Sequence, residues 1–160
     1  MALRVGSGLD AHPLAAGRRL VLGGVPVPHE KGLEGHSDGD VAVHAIMDAL
    51  LGAAGLGDKG KHFPSTDPTL KGISSLILLQ RVGALVRERG WRIVNVDATI
   101  LAQRPRLEPF VEQMRKNIAR TLNVGAEIIS VKVTTTDNLG FIGRGEGIAA
   151  HAVALIETAQ

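Results

Sequence analysis

A carboxylate and an imidazole lie two residues apart near the start of the chain, at Asp10 and His12. The residues before them predict a short strand over 3–10, and side chains two apart on a strand point to the same face. An aspartate oxygen and a histidine nitrogen both suit Zn²⁺, which needs only one more protein ligand to form a catalytic site with an open fourth position. The alternative is a strand-end turn in which Asp10 caps the backbone and His12 is solvated, and so short a motif does not decide between the two.

A further histidine, His44, lies within a predicted helix that follows a polar, helix-capping segment at 36–40. Asp40 and Asp48 are each one helical turn from His44, so the three side chains share a face. Asp48 is therefore predicted to accept the second ring N–H of His44 and to fix its tautomer, as is usual for metal-binding histidines. The alternative is an N-cap cluster followed by a solvated helix face.

The neighbours of His44 favour the metal hypothesis. Met47 and Leu51 lie beside it on the helix, and a histidine in apolar surroundings needs a polar partner. Together with Asp10 and His12 it completes a set of two histidines and one carboxylate. This set would leave the fourth position on a Zn²⁺ ion free.

Two other segments could bind phosphate or another anion, and a third has the composition of an active-site loop. Residues 134–147 place three threonines at a strand end and glycines around Arg144. Residues 102–107 bring arginines to a helix start, and residues 57–68 form a long polar loop. Hydroxyl, guanidinium and backbone N–H groups donate hydrogen bonds to phosphate, and helix N-termini attract anions. The respective alternatives are a turn with Arg144 paired to Glu146, a charged strand–helix connection, and a surface loop without a ligand.

Hydrophobic periodicity predicts the elements that must position these residues. Helices are expected over 42–53, 73–89 and 107–122, strands over 3–10, 91–102, 128–134 and 148–157, and a hairpin over 19–27. This order predicts an α+β fold, a single-domain sandwich over residues 1–160, in which helices cover a mixed four-stranded sheet beside a small N-terminal β-hairpin. The last strand is apolar on both faces, which predicts cover on both sides or a subunit interface.

Composition excludes several other classes of protein. The 160 residues carry a formal net charge of +2 and only 2% aromatic residues, which argues against nucleic acid as a partner. There is no cysteine, so a disulfide scaffold, a thiol nucleophile and a cysteine-ligated metal are ruled out. No apolar run reaches the roughly 18–20 residues of a membrane span, and no signal peptide is recognisable, so we expect a cytoplasmic protein without a membrane partner.

Taken in order, the candidate segments match one known family. The matching residues are Asp10-Ala11-His12, His36-Ser37-Asp38-Gly39-Asp40-Val41-Ala42-Val43-His44, Leu56-Gly57-Asp58, Phe63-Pro64, Ala102-Gln103-Arg104-Pro105, and the run from Thr134 to Gly147. With these motifs the chain resembles the 2-C-methyl-D-erythritol 2,4-cyclodiphosphate synthases of the non-mevalonate isoprenoid pathway, along essentially its whole length.

The resemblance implies a homotrimer with active sites between neighbouring subunits and a small-molecule substrate, 4-diphosphocytidyl-2-C-methyl-D-erythritol 2-phosphate. In this family the 2-phosphate attacks the β-phosphorus, CMP leaves, and a cyclic diphosphate forms. The family's Zn²⁺ ligands correspond to Asp10, His12 and His44, and a Mg²⁺ or Mn²⁺ ion bridges the diphosphate. His36 and Thr135 match the positions that stabilise the transition state.

Substrate-binding positions also carry over from the resemblance. Those for the methylerythritol and phosphate part are Ser37, Asp58, Lys59, Gly60, Phe63, Pro64, Ser65, Thr66 and Asp67. Those around the cytidine diphosphate are Ala102, Gln103, Arg104, Pro105, Arg106, Thr134, Thr136, Asp137, Phe141 and Arg144. Two other functions stay open: a zinc phosphohydrolase that uses water on a diphosphate ester, and a non-catalytic trimeric binding protein whose metal is structural.

Overall fold

A computed structural model describes residues 1–160. The strands are β1 (Leu3–Ala16), β2 (Leu20–Leu22), β3 (Val25–Val27), β4 (Lys31–Leu33), β5 (Trp91–Leu101), β6 (Ile129–Thr134) and β7 (Gly147–Thr158). The α-helices are α1 (Val41–Ala53), α2 (Lys59–His62), α3 (Ser75–Glu88), α4 (Val111–Leu122) and α5 (Gly140–Gly143). Short 3₁₀ turns occupy Pro68–Leu70, Glu108–Phe110 and Ala126–Ile128. The structure confirms the α+β class.

The main sheet is mixed and has the strand order β4-β1-β7-β5-β6, in which only β5 and β6 are parallel. The prediction of four strands is wrong, because the sheet has five. Strand β1 continues through Pro13 to Ala16, and its last part pairs with the three-residue strand β4. Proline lacks only the N–H, and the carbonyl of Pro13 still accepts a hydrogen bond from the Glu34 N–H. A strand of three residues is too short to show alternation in the sequence.

The predicted hairpin is present as the two-stranded sheet β2-β3. Gly23 and Gly24 form its turn with φ of +57° and +72°. Positive φ at both central residues is what a tight hairpin turn requires, and glycine adopts it without steric cost. This turn packs against the N-terminus of α1, where Asp40 is the cap residue.

The helices lie on one face of the main sheet. Helix α1 packs on β1 and β7, α3 packs against α1, and α4 packs against β6 and α3. Helix α1 is therefore buried on nearly every side, as its apolar composition indicates. None of the helices combines the length and apolar character needed to cross a membrane.

The other face of the sheet is mostly uncovered within the chain, although Ala149 at the start of β7 is buried. Leu9 is 70% exposed, Val5 68% and Val153 36%. Cover on both sides of β7 is therefore not provided by a single chain. This face also carries polar side chains, among them His151 and the Asp97–Lys132 ion pair, and exposed apolar side chains within such polar surroundings are typical of a protein–protein contact.

Candidate functional site

The three predicted metal ligands converge although 34 residues separate the first from the last. Asp10 and His12 lie on the helix-facing side of β1, and His44 lies at the end of the first turn of α1, which packs on that strand. Asp10 Oδ2 is 2.9 Å from His12 Nε2 and 2.9 Å from His44 Nδ1, and the two ring nitrogens are 3.3 Å apart. The structure thus brings together one ligand atom from each residue.

This triangle fits a Zn²⁺ ion. Ligands in a tetrahedral zinc site lie about 2.0–2.1 Å from the ion and hence about 3.3 Å from one another. The observed separations are close to that value, so the side chains need only a small expansion. Two histidines and a carboxylate are also the donor set of a catalytic zinc site with one open position.

Asp10 is held in its charged form. Burial alone would raise its pKa, but hydrogen bonds from His12 and His44 and the charges of His12 and Lys59 outweigh burial and hold the pKa below its usual value. Lys59 Nζ lies 3.6 Å from Asp10 Oδ1 and 3.2 Å from Asp48 Oδ2. The lysine therefore binds the carboxylate oxygen of Asp10 that does not face the two imidazoles.

The prediction that Asp48 accepts a hydrogen bond from His44 is wrong. Asp48 accepts hydrogen bonds from the backbone N–H and the ammonium group of Lys59 at 2.7 and 3.2 Å. His44 Nε2 instead faces Ser75 Oγ at 2.9 Å and Ser37 Oγ at 3.0 Å. The turn after α1 brings the donors of Lys59 to Asp48, and the start of α3 brings a hydroxyl to His44.

A cavity opens beside these ligands and contains many of the residues predicted for the metal side of the site. Its predicted residues are His12, His36, Ser37, His44, Lys59, Gly60, Phe63 and Ser65, and its other lining residues are Met47, Leu70 and Leu78. His36 Nε2 donates to the carbonyl of Asp67 at 2.7 Å, which connects the loop 63–67 to the cavity wall. We call this the metal-side cavity.

A second cavity collects residues predicted for the cytidine side. It is lined by Ala102, Gln103, Arg104, Pro105, Arg106, Thr134 and Thr135, together with Leu107, Glu108 and Val133. A neighbouring cavity shares Gln103 and Arg104 with it and includes Arg144. Neither shares a residue with the metal-side cavity. Within a single chain, the residues predicted for the metal side and those predicted for the cytidine side therefore line separate cavities.

The remaining predicted residues have local roles in this chain. Asp58 caps α2 through Lys61 N–H, and the Thr136 hydroxyl donates to the Leu139 carbonyl. Arg144 forms a bidentate ion pair with Glu146, in which Nε donates to Oε1 at 3.0 Å and Nη2 donates to Oε2 at 3.2 Å. Outside the cavities, the other predicted residues Pro64, Thr66, Asp137 and Phe141 lie on surface loops or at the start of α5.

Sequence reasoning missed Ser75 as part of the site. A serine pair before an apolar run marks a helix start, which is how Ser74 and Ser75 appear in the sequence. The contact with His44 crosses 31 residues and depends on how α3 packs on α1. No local pattern carries that information.

Comparison with known proteins gives consistent results. The model of the YgbB family matches residues 3–157. The 2-C-methyl-D-erythritol 2,4-cyclodiphosphate synthase of Syntrophomonas wolfei is 60% identical over 98% of this chain and 100% of that protein. The synthase of Azotobacter vinelandii is 60% identical over 96% of this chain and 98% of that protein.

Solved structures agree with these sequence relatives. The bifunctional IspDF of Campylobacter jejuni superposes with a TM-score of 0.95 at 43% identity, over 98% of this chain and 42% of that one. IspF of Plasmodium falciparum in complex with CDP gives a TM-score of 0.87 at 33% identity, over 99% of this chain and 98% of that one. The chain therefore belongs to the YgbB family, together with the 2-C-methyl-D-erythritol 2,4-cyclodiphosphate synthases.

Proposed function

We propose that this chain converts 4-diphosphocytidyl-2-C-methyl-D-erythritol 2-phosphate into 2-C-methyl-D-erythritol 2,4-cyclodiphosphate and CMP, by attack of the 2-phosphate on the β-phosphorus. The observation that carries the proposal is the convergence of Asp10, His12 and His44 beside a cavity that is lined by both polar and apolar side chains. The nucleophile belongs to the substrate, so no side chain has to be activated. Catalysis then depends on positioning and on charge neutralisation.

The residues of the metal-side cavity suit this task. Asp10, His12 and His44 would hold Zn²⁺, which when bound acts as a Lewis acid and a template for a phosphate oxygen. His36 and Ser37 supply hydrogen-bonding groups to the cavity, and Met47, Leu70 and Leu78 give it an apolar wall. Exclusion of water by such a wall favours cyclisation over hydrolysis.

A second ion, Mg²⁺ or Mn²⁺, is part of the same proposal. Asp10, His12 and His44 are the one group of three metal-ligating side chains in the structure. The second ion would therefore be bound chiefly by the substrate diphosphate and by water, which is the usual mode for Mg²⁺.

A homotrimer with sites between subunits is supported by two features of the chain. The metal-side cavity and the second cavity share no residue, so a substrate that contacts both sets can do so where two copies meet. The uncovered face of the main sheet, where Val5, Leu9 and Val153 are exposed, supplies a contact surface for those copies. Thr135 and Arg106 would then meet the cytidine diphosphate from a neighbouring subunit.

Phosphorus NMR of the protein incubated with the diphosphocytidyl substrate, Zn²⁺ and Mg²⁺ tests the reaction. We expect CMP and a cyclic diphosphate as products. Linear hydrolysis products would indicate a zinc phosphohydrolase instead, and an unchanged substrate would indicate a binding protein. Either result would contradict the proposed activity.

His44→Ala tests the ligand assignment. We expect loss of bound zinc and of turnover, with the chain still folded, because the other two ligands cannot hold the ion tightly alone. Zinc content by atomic absorption and far-ultraviolet circular dichroism are the measurements. His29→Ala is the matched control and should keep its zinc. A His44→Ala protein with normal metal content would refute the assignment.

A further inference from the structure

The imidazole of His44 has polar neighbours at both nitrogens. Nδ1 faces Asp10 Oδ2 at 2.9 Å, on the side where the ion would be held. Nε2 faces the hydroxyl oxygens of Ser75 at 2.9 Å and Ser37 at 3.0 Å. A neutral histidine that binds a metal through Nδ1 carries its proton on Nε2, so a group near Nε2 must accept that proton in a hydrogen bond.

Asp38 determines the direction of the hydroxyl group of Ser75. Asp38 Oδ1 lies 2.5 Å from Ser75 Oγ, and a carboxylate only accepts hydrogen bonds. The single hydroxyl proton of Ser75 is therefore donated to Asp38. The lone pairs of Ser75 Oγ are then available to the Nε2–H of His44.

Asp38 is itself fixed in position. Its Oδ2 accepts from the Ser75 N–H at 2.9 Å, and its Oδ1 also accepts from the Asp40 N–H at 3.1 Å. Ser75 begins the 14-residue helix α3, whose free N–H groups and dipole favour a negative charge at this end. Ser75 is 0% exposed, so bulk water does not compete for its hydroxyl group.

We infer that Asp38 and Ser75 are positioning residues for the metal site. The hydrogen bonds run from His44 Nε2–H to Ser75 and from Ser75 to Asp38, and they keep the proton of His44 on Nε2. The Nδ1 lone pair is thereby presented to the ion, and the carboxylate at the far end makes the imidazole a stronger ligand. Only the catalytic role of the bound ion rests on the proposed function. Binding of the ion itself is measured without substrate and tests the inference independently.

Ser75→Ala and Asp38→Asn test the role of this hydrogen-bond chain. Ser75→Ala removes the acceptor that Asp38 orients and leaves Nε2 with the hydroxyl of Ser37, which no carboxylate orients. Asp38→Asn brings an amide N–H that can donate to Ser75 and turn its hydroxyl proton toward His44. We expect each variant to bind Zn²⁺ about 10–100-fold more weakly, as measured by competition with a chromophoric chelator. A folded Ser75→Ala protein with unchanged zinc affinity would overturn the inference.

Ser74→Ala is the matched control. Ser74 is the neighbouring residue, is exposed, and makes no side-chain capping hydrogen bond at the start of α3. Its zinc affinity should equal that of the unchanged protein. If Ser74→Ala lost as much zinc affinity as Ser75→Ala, the effect would come from a general disturbance at the start of α3. That result would also overturn the inference.

The tautomer of His44 is measurable in the unchanged protein, so the inference stays testable if both variants fail to fold. In long-range proton–nitrogen NMR spectra of the zinc-loaded protein, we expect His44 to carry a slowly exchanging proton on Nε2 and to bind zinc through Nδ1. A proton on Nδ1 would contradict the inference. If the tautomer is as expected but no CMP is formed from the substrate, the proposed activity fails while the positioning role stands.

Discussion

The carboxylate of Asp40 is fully buried, and it connects two of the elements that form the site. It accepts hydrogen bonds from the N–H groups of Gly23, Gly24 and Val43 at 3.0, 2.8 and 3.1 Å. One side chain thus joins the hairpin turn to the N-terminus of the helix that carries His44. Burial, and then the charge of Asp38, raise the pKa of Asp40 to about 6, although the three N–H donors favour the charged form.

This buried carboxylate predicts a pH dependence of stability. The pKa of Asp40 is about 6 in the folded chain, against an ordinary value of 3.8. The folded state therefore binds the carboxyl proton of Asp40 more tightly than the unfolded state does. The contribution of Asp40 to the free energy of unfolding falls as the pH rises from about 4 to about 6. Since Asp40→Asn does not titrate, the free energy of unfolding of the unchanged protein relative to this variant should drop by about 2 to 3 kcal/mol over that range.

Urea unfolding at pH 4, 5, 6 and 7 measures this difference. Glu112→Gln is a suitable control, because Glu112 pairs with Arg115 on the exposed surface of α4 and its replacement should change stability only slightly. A constant difference between the unchanged protein and Asp40→Asn would mean that the pKa of Asp40 is not raised in the folded chain.

At the scale of elements, the position of His44 depends on how closely α1 lies against β1. A Cβ atom at Gly8 would be 1.9 Å from the carbonyl oxygen of Ala45, and one at Gly6 would be 2.0 Å from that of Ala49. Glycines on the strand and alanines on the helix therefore allow the two backbones to meet. This contact brings the helix ligand to the two strand ligands, Asp10 and His12.

Gly8→Ala should disturb both the packing and the metal site. The added methyl group forces α1 away from β1, and we expect a loss of about 1–3 kcal/mol in the free energy of unfolding together with weaker Zn²⁺ binding. Gly52→Ala is a matched control on α1, the helix that packs against Gly8, since the nearest neighbour of the added methyl group would be Ser7 O at 4.0 Å. That variant should gain about 0.5–1 kcal/mol. Denaturant unfolding and zinc titration distinguish the two, and equal effects would contradict the role of the close contact.

At the scale of the whole molecule, the chain has one covered and one uncovered sheet face. The uncovered face presents Val5, Leu9 and Val153 on neighbouring strands, since Val5 and Leu9 lie on β1 and Val153 on β7. The two cavities of the predicted site lie apart in the chain. Both features are accounted for if three copies meet through this face.

Leu9→Glu should separate the subunits without unfolding them. Leu9 is 70% exposed in the single chain, so a charge there costs little in the fold but opposes an apolar contact between copies. We expect a folded monomer without turnover, as measured by sedimentation equilibrium and by CMP release. Ile77→Glu, which places the same charge at a 45% exposed position on α3, should stay trimeric and active. An unchanged protein that sediments as a monomer would refute the trimer.

Much of the fold could be predicted from local patterns. Alternation predicted β5, and a segment apolar on both faces predicted β7. A period of three to four residues predicted α1, α3 and α4, and the Gly23-Gly24 pair predicted the hairpin turn. The strand β4 could not be predicted in this way. Its three residues depend on pairing with the end of β1 rather than on any pattern of their own.

The sequence by itself determined which residue types could bind an ion, because Asp10 and His12 share a strand face and His44 lies on an apolar helix. Only the tertiary structure decided what lies on the other side of His44. Ser75 replaces the predicted Asp48 there, and Asp38 holds Ser75 from 37 positions away. The physical reason is that periodicity is set by neighbours along the chain, whereas a hydrogen bond between helices depends on how these helices pack.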